Sequence, residues 1–270
     1  MLNHERRQRS SRARSLPLGL VMVLAALFAA GGLATHPEAA AAAGKKVVVI
    51  VGPSGSSTSN YIYNAKKLAA QARSYGASVY EIYSPYATWA KVKAVAQGAN
   101  VLIYLGHAFS ATSKDGLGLN ATSGAGNSNV KYWGEYYVDH YINLAPNAVV
   151  ILNRLCYASG DSEWGAANPT KTVAIQRVDN YGAGFLRANA KAIFAEGISS
   201  AGYVLYGLFK TNNTMTQIFW SASSATKTYS FGFTSVRTPS YKALMDPYAP
   251  SRYYRSVIGS LGMTAATWRG

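Results

Sequence analysis

Cysteine is nearly absent from this chain: Cys156 is alone among 270 residues, so no disulfide can close within one molecule. Histidine is almost as scarce, with His4, His36, His107 and His140. So few soft ligands cannot build a closed transition-metal site, and no metal is expected. Acidic residues are also short, 11 Asp and Glu against 26 Lys and Arg, for a net charge of +15. That imbalance favours anionic partners. Yet no basic run is longer than the pairs Lys45-Lys46 and Lys66-Lys67, and no nucleic-acid motif occurs, so specific nucleic-acid recognition is not expected. The turn at residues 52–57 (GPSGSS) follows an apolar run as a phosphate loop would, but lacks the lysine such a loop requires. No cofactor is expected.

Long hydrophobic runs are missing too, with one exception. Residues 16–34 are apolar, follow Arg6, Arg7, Arg9, Arg12 and Arg14, and lead into the small-residue stretch 39–43. That order is the positively charged, apolar and cleavage regions of a secretory signal. The expectation is a signal peptide at 1–43, a secreted or cell-wall-associated protein, and no stable membrane span once the segment is removed. Residues 44–270 are expected to form a single domain, with 210–270 an aromatic-rich C-terminal extension of it. Without the first 43 residues, 21 basic residues face nine acidic ones, which makes an anionic cell-wall polymer the expected polyanion.

What is present is an alternation of elements. Residues 45–51 (KKVVVIV) are a continuous β-branched run suited to a strand buried on both faces. A helix is predicted at 59–75, a strand at 78–83, a helix at 87–97 and a strand at 100–105. A Gly-, Asn- and Ser-rich stretch, 106–146, interrupts the rhythm with one helix predicted at 132–142. Residues 148–153 (AVVILN) restore it as a fourth strand, followed by a helix at 178–190, a strand at 192–195 and a helix at 199–209. The tail is expected to hold a helix at 215–220 and a strand at 229–234. Short connections between alternating strands and helices imply right-handed crossovers. The expected class is α/β, a three-layer sandwich around a mainly parallel sheet.

In such a sheet, ligands bind outside the carboxyl ends of the strands. The third strand ends in Gly106-His107 and the fourth in Leu155-Cys156, which brings a thiol and an imidazole to one rim. A thiolate attacks carbonyl carbon efficiently when an imidazole accepts its proton. The two residues are 49 positions apart, close to the histidine-to-cysteine separation of about fifty known for caspases. His140, within YVDHYI, is expected to pack on its helix.

The segments LIYLGH, VVILNRLCYASG and VDNYGAGFLRANAKAIFAEG, in this order, resemble the caspase-like cysteine peptidase superfamily, which includes caspases, metacaspases, legumains, and clostripain-, gingipain- and separase-related enzymes. The resemblance spans roughly residues 45–209. It implies a caspase-like fold, a peptide or protein substrate, His107 as base and Cys156 as nucleophile, with the amides of Ala108 and Cys156 forming the oxyanion hole. Ala108 departs from the family's usual glycine; it offers the same N–H but resists positive φ. The caspase pentapeptide around the cysteine is absent. Asp161, Glu163 and Asp179 are candidate substrate-binding acids, and Arg154 and Arg177 are the alternative, an acid-binding pair. Acyl transfer by the same dyad is indistinguishable from peptide hydrolysis at this level. The other expectation is a catalytically inactive caspase-like module that binds at the cell envelope.

Overall fold

The computed structural model describes residues 44–270. The expected signal peptide at 1–43 lies outside the described residues. An eight-stranded sheet organises the chain, in the order β2-β1-β3-β6-β7-β10-β9-β8. Its parallel half comprises β1 (Lys46–Val51), β2 (Ser78–Tyr83), β3 (Val101–Leu105), β6 (Ala148–Asn153) and β7 (Ala190–Glu196). The antiparallel half adds β8 (Phe231–Thr234), β9 (Lys242–Met245) and β10 (Arg255–Gly259).

The apolar runs form central strands because both faces of the sheet are covered. Along β1, Val47, Val49 and Val51 point into one cluster, while Val48 and Ile50 point into the other. Helices α1 (Thr58–Ser74), α5 (Gly202–Lys210), α6 (Met215–Trp220) and α7 (Ala265–Arg269) cover the first face through Leu68, Leu205, Ile218 and Trp268. Helices α2 (Trp89–Ala96), α3 (Glu135–Tyr141) and α4 (Lys171–Arg187) cover the second through Val92, Val138, Tyr181 and Phe185. Each fully buried aliphatic side chain contributes roughly 1.5–3 kcal/mol relative to exposure, so the sheet core dominates the stabilisation. The fold is α/β with three layers around a mainly parallel sheet.

The structure departs from the sequence expectations in three places. The predicted helix at 132–142 begins instead as strand β5 (Val130–Gly134), which pairs antiparallel with β4 (Asp115–Asn120) before α3 starts at Glu135. This hairpin buries Leu117 and Leu119 and stacks Trp133 on Trp89 at 5.0 Å. Its glycines allow close backbone approach: a Cβ on Gly118 would lie 2.8 Å from the His107 carbonyl oxygen. Helix α4 starts at Lys171, earlier than the predicted 178, because the Thr170 hydroxyl accepts from the Val173 N–H at 3.3 Å and caps it. The tail holds two strands beyond the one expected, since β9 and β10 join the main sheet with β8, and Trp268 is almost wholly buried.

Candidate active site

Parallel pairing of β3 with β6, in register from Val101↔Val149 to Tyr104↔Leu152, carries both chain exits to one rim. His107 leaves from β3 and Cys156 from β6. Gly106 is required immediately before the histidine: a Cβ there would fall 2.1 Å from the Tyr104 hydroxyl and 2.5 Å from its ring. That tyrosine is buried and ties the exit to the β4–β5 hairpin. Its hydroxyl accepts the Gly118 N–H at 2.9 Å and lies 2.8 Å from the Gly118 carbonyl and 3.2 Å from that of His107.

The turn bearing Cys156 is strained on both sides. Arg154 has φ 56° and Tyr157 has φ 69°, a left-handed backbone that costs non-glycine residues roughly 1–3 kcal/mol each and clusters at functional sites. Surrounding contacts enforce it. The Arg154 N–H donates to the Glu196 carbonyl at 2.7 Å, and the Tyr157 carbonyl accepts from Gly160 at 2.8 Å.

Helix α4 grips the loops after both strands. Arg177 donates through Nε to the Ala111 carbonyl at 3.0 Å, and through Nη1 to the carbonyls of Gly160 (3.2 Å) and Asp161 (2.9 Å) and to the Ser162 hydroxyl (3.1 Å). One turn along, Asn180 donates to the Thr112 carbonyl at 3.0 Å and the Tyr181 hydroxyl to that of Ser110 at 3.1 Å. The segment RVDNY therefore positions the loop that begins at His107.

Cys156 is partly buried and opens on a cavity of about 480 Å³. Tyr61 of α1, Arg154, Asp161, Glu163, Arg252 and Tyr254 line it, and the exposed ring of Trp164 stands at its lip. Burial pushes the thiol up from its ordinary value, and the Glu163 carboxylate pushes it further, partly offset by the cysteine's own amide N–H. The Tyr157 hydroxyl is pushed up to about 12, by burial and by the same carboxylate. Burial raises Asp161 as well, against the Ser162 N–H and the charges of Arg252 and Arg177.

The expected site residues are therefore distributed unevenly. Asp161 and Glu163 do line the cavity beside the thiol. Asp179 does not: it is buried elsewhere, accepting from the Ser235 hydroxyl and from the amides of Val236 (2.9 Å) and Arg237 (3.2 Å). Those bonds cap the turn after β8 and leave it no role at the thiol. Arg177 is likewise engaged by the loops, whereas Arg154 faces the cavity. The His107 ring is exposed, and among the described residues no hydrogen bond joins it to Cys156 Sγ. Ala108 is partly buried and is not among the residues with positive φ. Among the described residues, the amides of Ala108 and Cys156 donate to no other residue. His140 sits on α3, its Nδ1 2.9 Å from the Tyr136 carbonyl and its ring stacked on that of Tyr136 at 4.1 Å.

Tyr61, Arg252 and Tyr254 had no sequence signal linking them to Cys156; the sheet brings them there from 95 residues before and 96 and 98 residues after. Among the described residues, no group of three or more His, Cys, Asp or Glu side chains converges as metal ligands, and no helix is long and apolar enough to cross a membrane. Comparison with protein-family models, with curated proteins and with solved structures finds no match to this chain.

Proposed function

We propose that this protein is an exported cysteine peptidase of the caspase-like type. The observation that carries the reading is the position of Cys156: its thiol opens on a 480 Å³ cavity at the carboxyl end of β6, beside the β3 exit that bears His107. In this reading a peptide enters the cavity and His107 takes the Cys156 proton as sulfur attacks the scissile carbonyl. The amides of Cys156 and Ala108, which donate to no other residue among those described, donate to the developing oxyanion. His107 then protonates the leaving amine, and water, deprotonated by the same ring, releases the acid and restores the thiol. Because burial raises the thiol, proton transfer accompanies attack, and the exposed His107 side chain must turn towards Sγ.

The test is hydrolysis of a peptide library by the purified protein and by Cys156→Ala and His107→Ala. Cleavage lost in both variants, with folding intact, is the expected outcome. Cleavage retained in Cys156→Ala overturns the reading.

One observation favours a second reading, a catalytically silent binding module at the cell envelope. The thiol is raised where a poised nucleophile is usually lowered, and the imidazole stands exposed. Alkylation of Cys156 by iodoacetamide across pH separates the two. Under the peptidase reading, His107→Ala slows alkylation near neutral pH. Under the module reading it leaves the rate unchanged.

A further inference from the structure

At the end of the sheet opposite Cys156, the connections into β3, β6 and β7 border a second cleft, of about 610 Å³. Gln97, Asn143 and Asn189 stand on those three connections, with Tyr141 and His140 from α3 and Lys93 from α2 around them. The six residues of β6 span roughly 20 Å at about 3.3 Å each, so this cleft is separate from the cavity at the thiol.

The amides are held in place. The Gln97 side chain donates to the carbonyls of Lys93 at 2.7 Å and Tyr141 at 2.8 Å, and it accepts the Asn143 N–H at 2.9 Å. Asn189 donates through Nδ2 to Asn143 Oδ1 at 2.6 Å. Among the described residues this leaves Asn143 Nδ2 and Asn189 Oδ1 without a protein partner, a donor and an acceptor on two exposed, mutually bonded side chains. The exposed Lys93 forms no salt bridge among the described residues, and its ammonium lies 5.6 Å from the centroid of the Tyr141 ring.

Tyrosines extend the cleft along α3. Tyr136 and Tyr141 leave 58% and 45% of their surface open, enough for a ligand to lie on them. Exposed hydrophobic residues are ordinarily scattered, whereas these rings touch. Tyr137 meets Tyr136 edge-on at 5.6 Å and lies 6.2 Å from Tyr141, and it leans edge-on against Trp133 at 4.7 Å, which is stacked on Trp89. Rings anchored in this way have little freedom left to lose on binding. An apolar partner would find no aliphatic surface to cover in the cleft, because Ile142, the one large aliphatic side chain lining it, is buried. A hexopyranose with equatorial substituents matches it better: its flat C–H face suits an aromatic ring, and its hydroxyls each donate and accept.

We propose that this cleft and the tyrosines of α3 bind a glycan chain of β-linked hexopyranose units, one ring stacked on Tyr141 and its hydroxyls bonded to Asn143 and Asn189. The site goes beyond the peptidase reading and does not depend on it. A protein held on a polysaccharide by this end keeps the Cys156 cavity at the other end open.

Titration of the purified protein with the β-1,4-linked tetrasaccharides of glucose and of N-acetylglucosamine, followed by NMR, tests the site. At least one of them is expected to bind, and Tyr141→Ala should weaken it about tenfold or more. Tyr141→Phe, which keeps the ring, should retain most of the affinity. Asn189→Gly tolerates the φ of 76° at this position and removes the acceptor, so it too should weaken binding. Thermal unfolding verifies that each variant folds. Binding of neither tetrasaccharide, or equal affinity in folded Tyr141→Ala, overturns the proposal. So does sedimentation showing a dimer that Tyr141→Ala disperses, which would give this face to a second copy of the chain.

Discussion

The guanidinium of Arg177 lies over the ring of Tyr157, 4.8 Å from its centroid, while its nitrogens reach three carbonyls and a hydroxyl in two different loops. One side chain of α4 thus clamps the strained turn after Cys156 to the loop that begins at His107. Arg177→Ala leaves buried carbonyls of Ala111, Gly160 and Asp161 without donors, at about 1–3 kcal/mol for a stranded group. Arg177→Lys keeps the charge but cannot span both loops. Both variants should unfold several degrees earlier, at roughly 2–4 °C per kcal/mol for a domain of this size. Unchanged melting in Arg177→Lys would show that charge alone suffices.

Glu163 is a like charge beside a thiol that must ionise to react. Glu163→Gln removes it, so thiolate forms at lower pH and the iodoacetamide profile of Cys156 moves towards acid. Glu163 is exposed, so salt should shrink the difference between the two proteins. The raised thiol also links to stability. The folded chain keeps this proton at pH values where the unfolded chain, near 9.0, has lost it. Its contribution is complete below that value and lost as pH rises above it, so Cys156→Ala should flatten the alkaline decline seen by urea unfolding.

Gly106 and Tyr104 compete for one volume if the glycine gains a methyl group. Gly106→Ala should cost about 1–3 kcal/mol by overpacking. In a Tyr104→Leu background the ring that blocks the methyl is gone, so the two losses should sum to more than the double variant shows. Strict additivity in a double-mutant cycle would locate the cost elsewhere.

Arg255 is buried between two acids, with Nε 2.9 Å from Glu196 and Nη1 2.6 Å from Asp246, and Nη2 donates to the Phe219 carbonyl at 2.6 Å. Arg255→Ala strands both carboxylates in the interior, a loss of about 3–5 kcal/mol. Glu196→Gln, which keeps a hydrogen-bond acceptor and removes one charge, should cost less. Urea unfolding of the two variants gives the order directly; the reverse order would show that the pair is not acting as a buried ion bridge.

The parallel half of the fold was legible because KVVVIV, VLIYL and AVVILN have no polar face and must be buried on both sides. The positions of His107 and Cys156 at one rim followed from that alone. The β4–β5 hairpin was not legible: Gly116 and Gly118 read as loop residues, and their purpose, close passage of the backbone by the His107 exit, exists only in three dimensions. Asp179 is an acid that follows Cys156 in the sequence, but α4 turns it towards the turn after β8. Nor could spacing separate Arg154 from Arg177, since both are arginines near the thiol. Only the hydrogen bonds divide them, one saturated by loop carbonyls and the other open to the cavity.

The first reversal of direction in the sheet comes where β10 lies antiparallel to β7 and sets Arg255 opposite Glu196. That reversal brings Arg252 and Tyr254, just ahead of β10, to the wall of the cavity that holds Cys156. The chain thus supplies Cys156 well before Arg252 and Tyr254, which complete the wall of its cavity. A nascent chain that has not yet reached residue 252 would carry the thiol without the finished cavity wall. The order in which the ribosome delivers these parts delays closure of the cavity until residues 252–254 have been made.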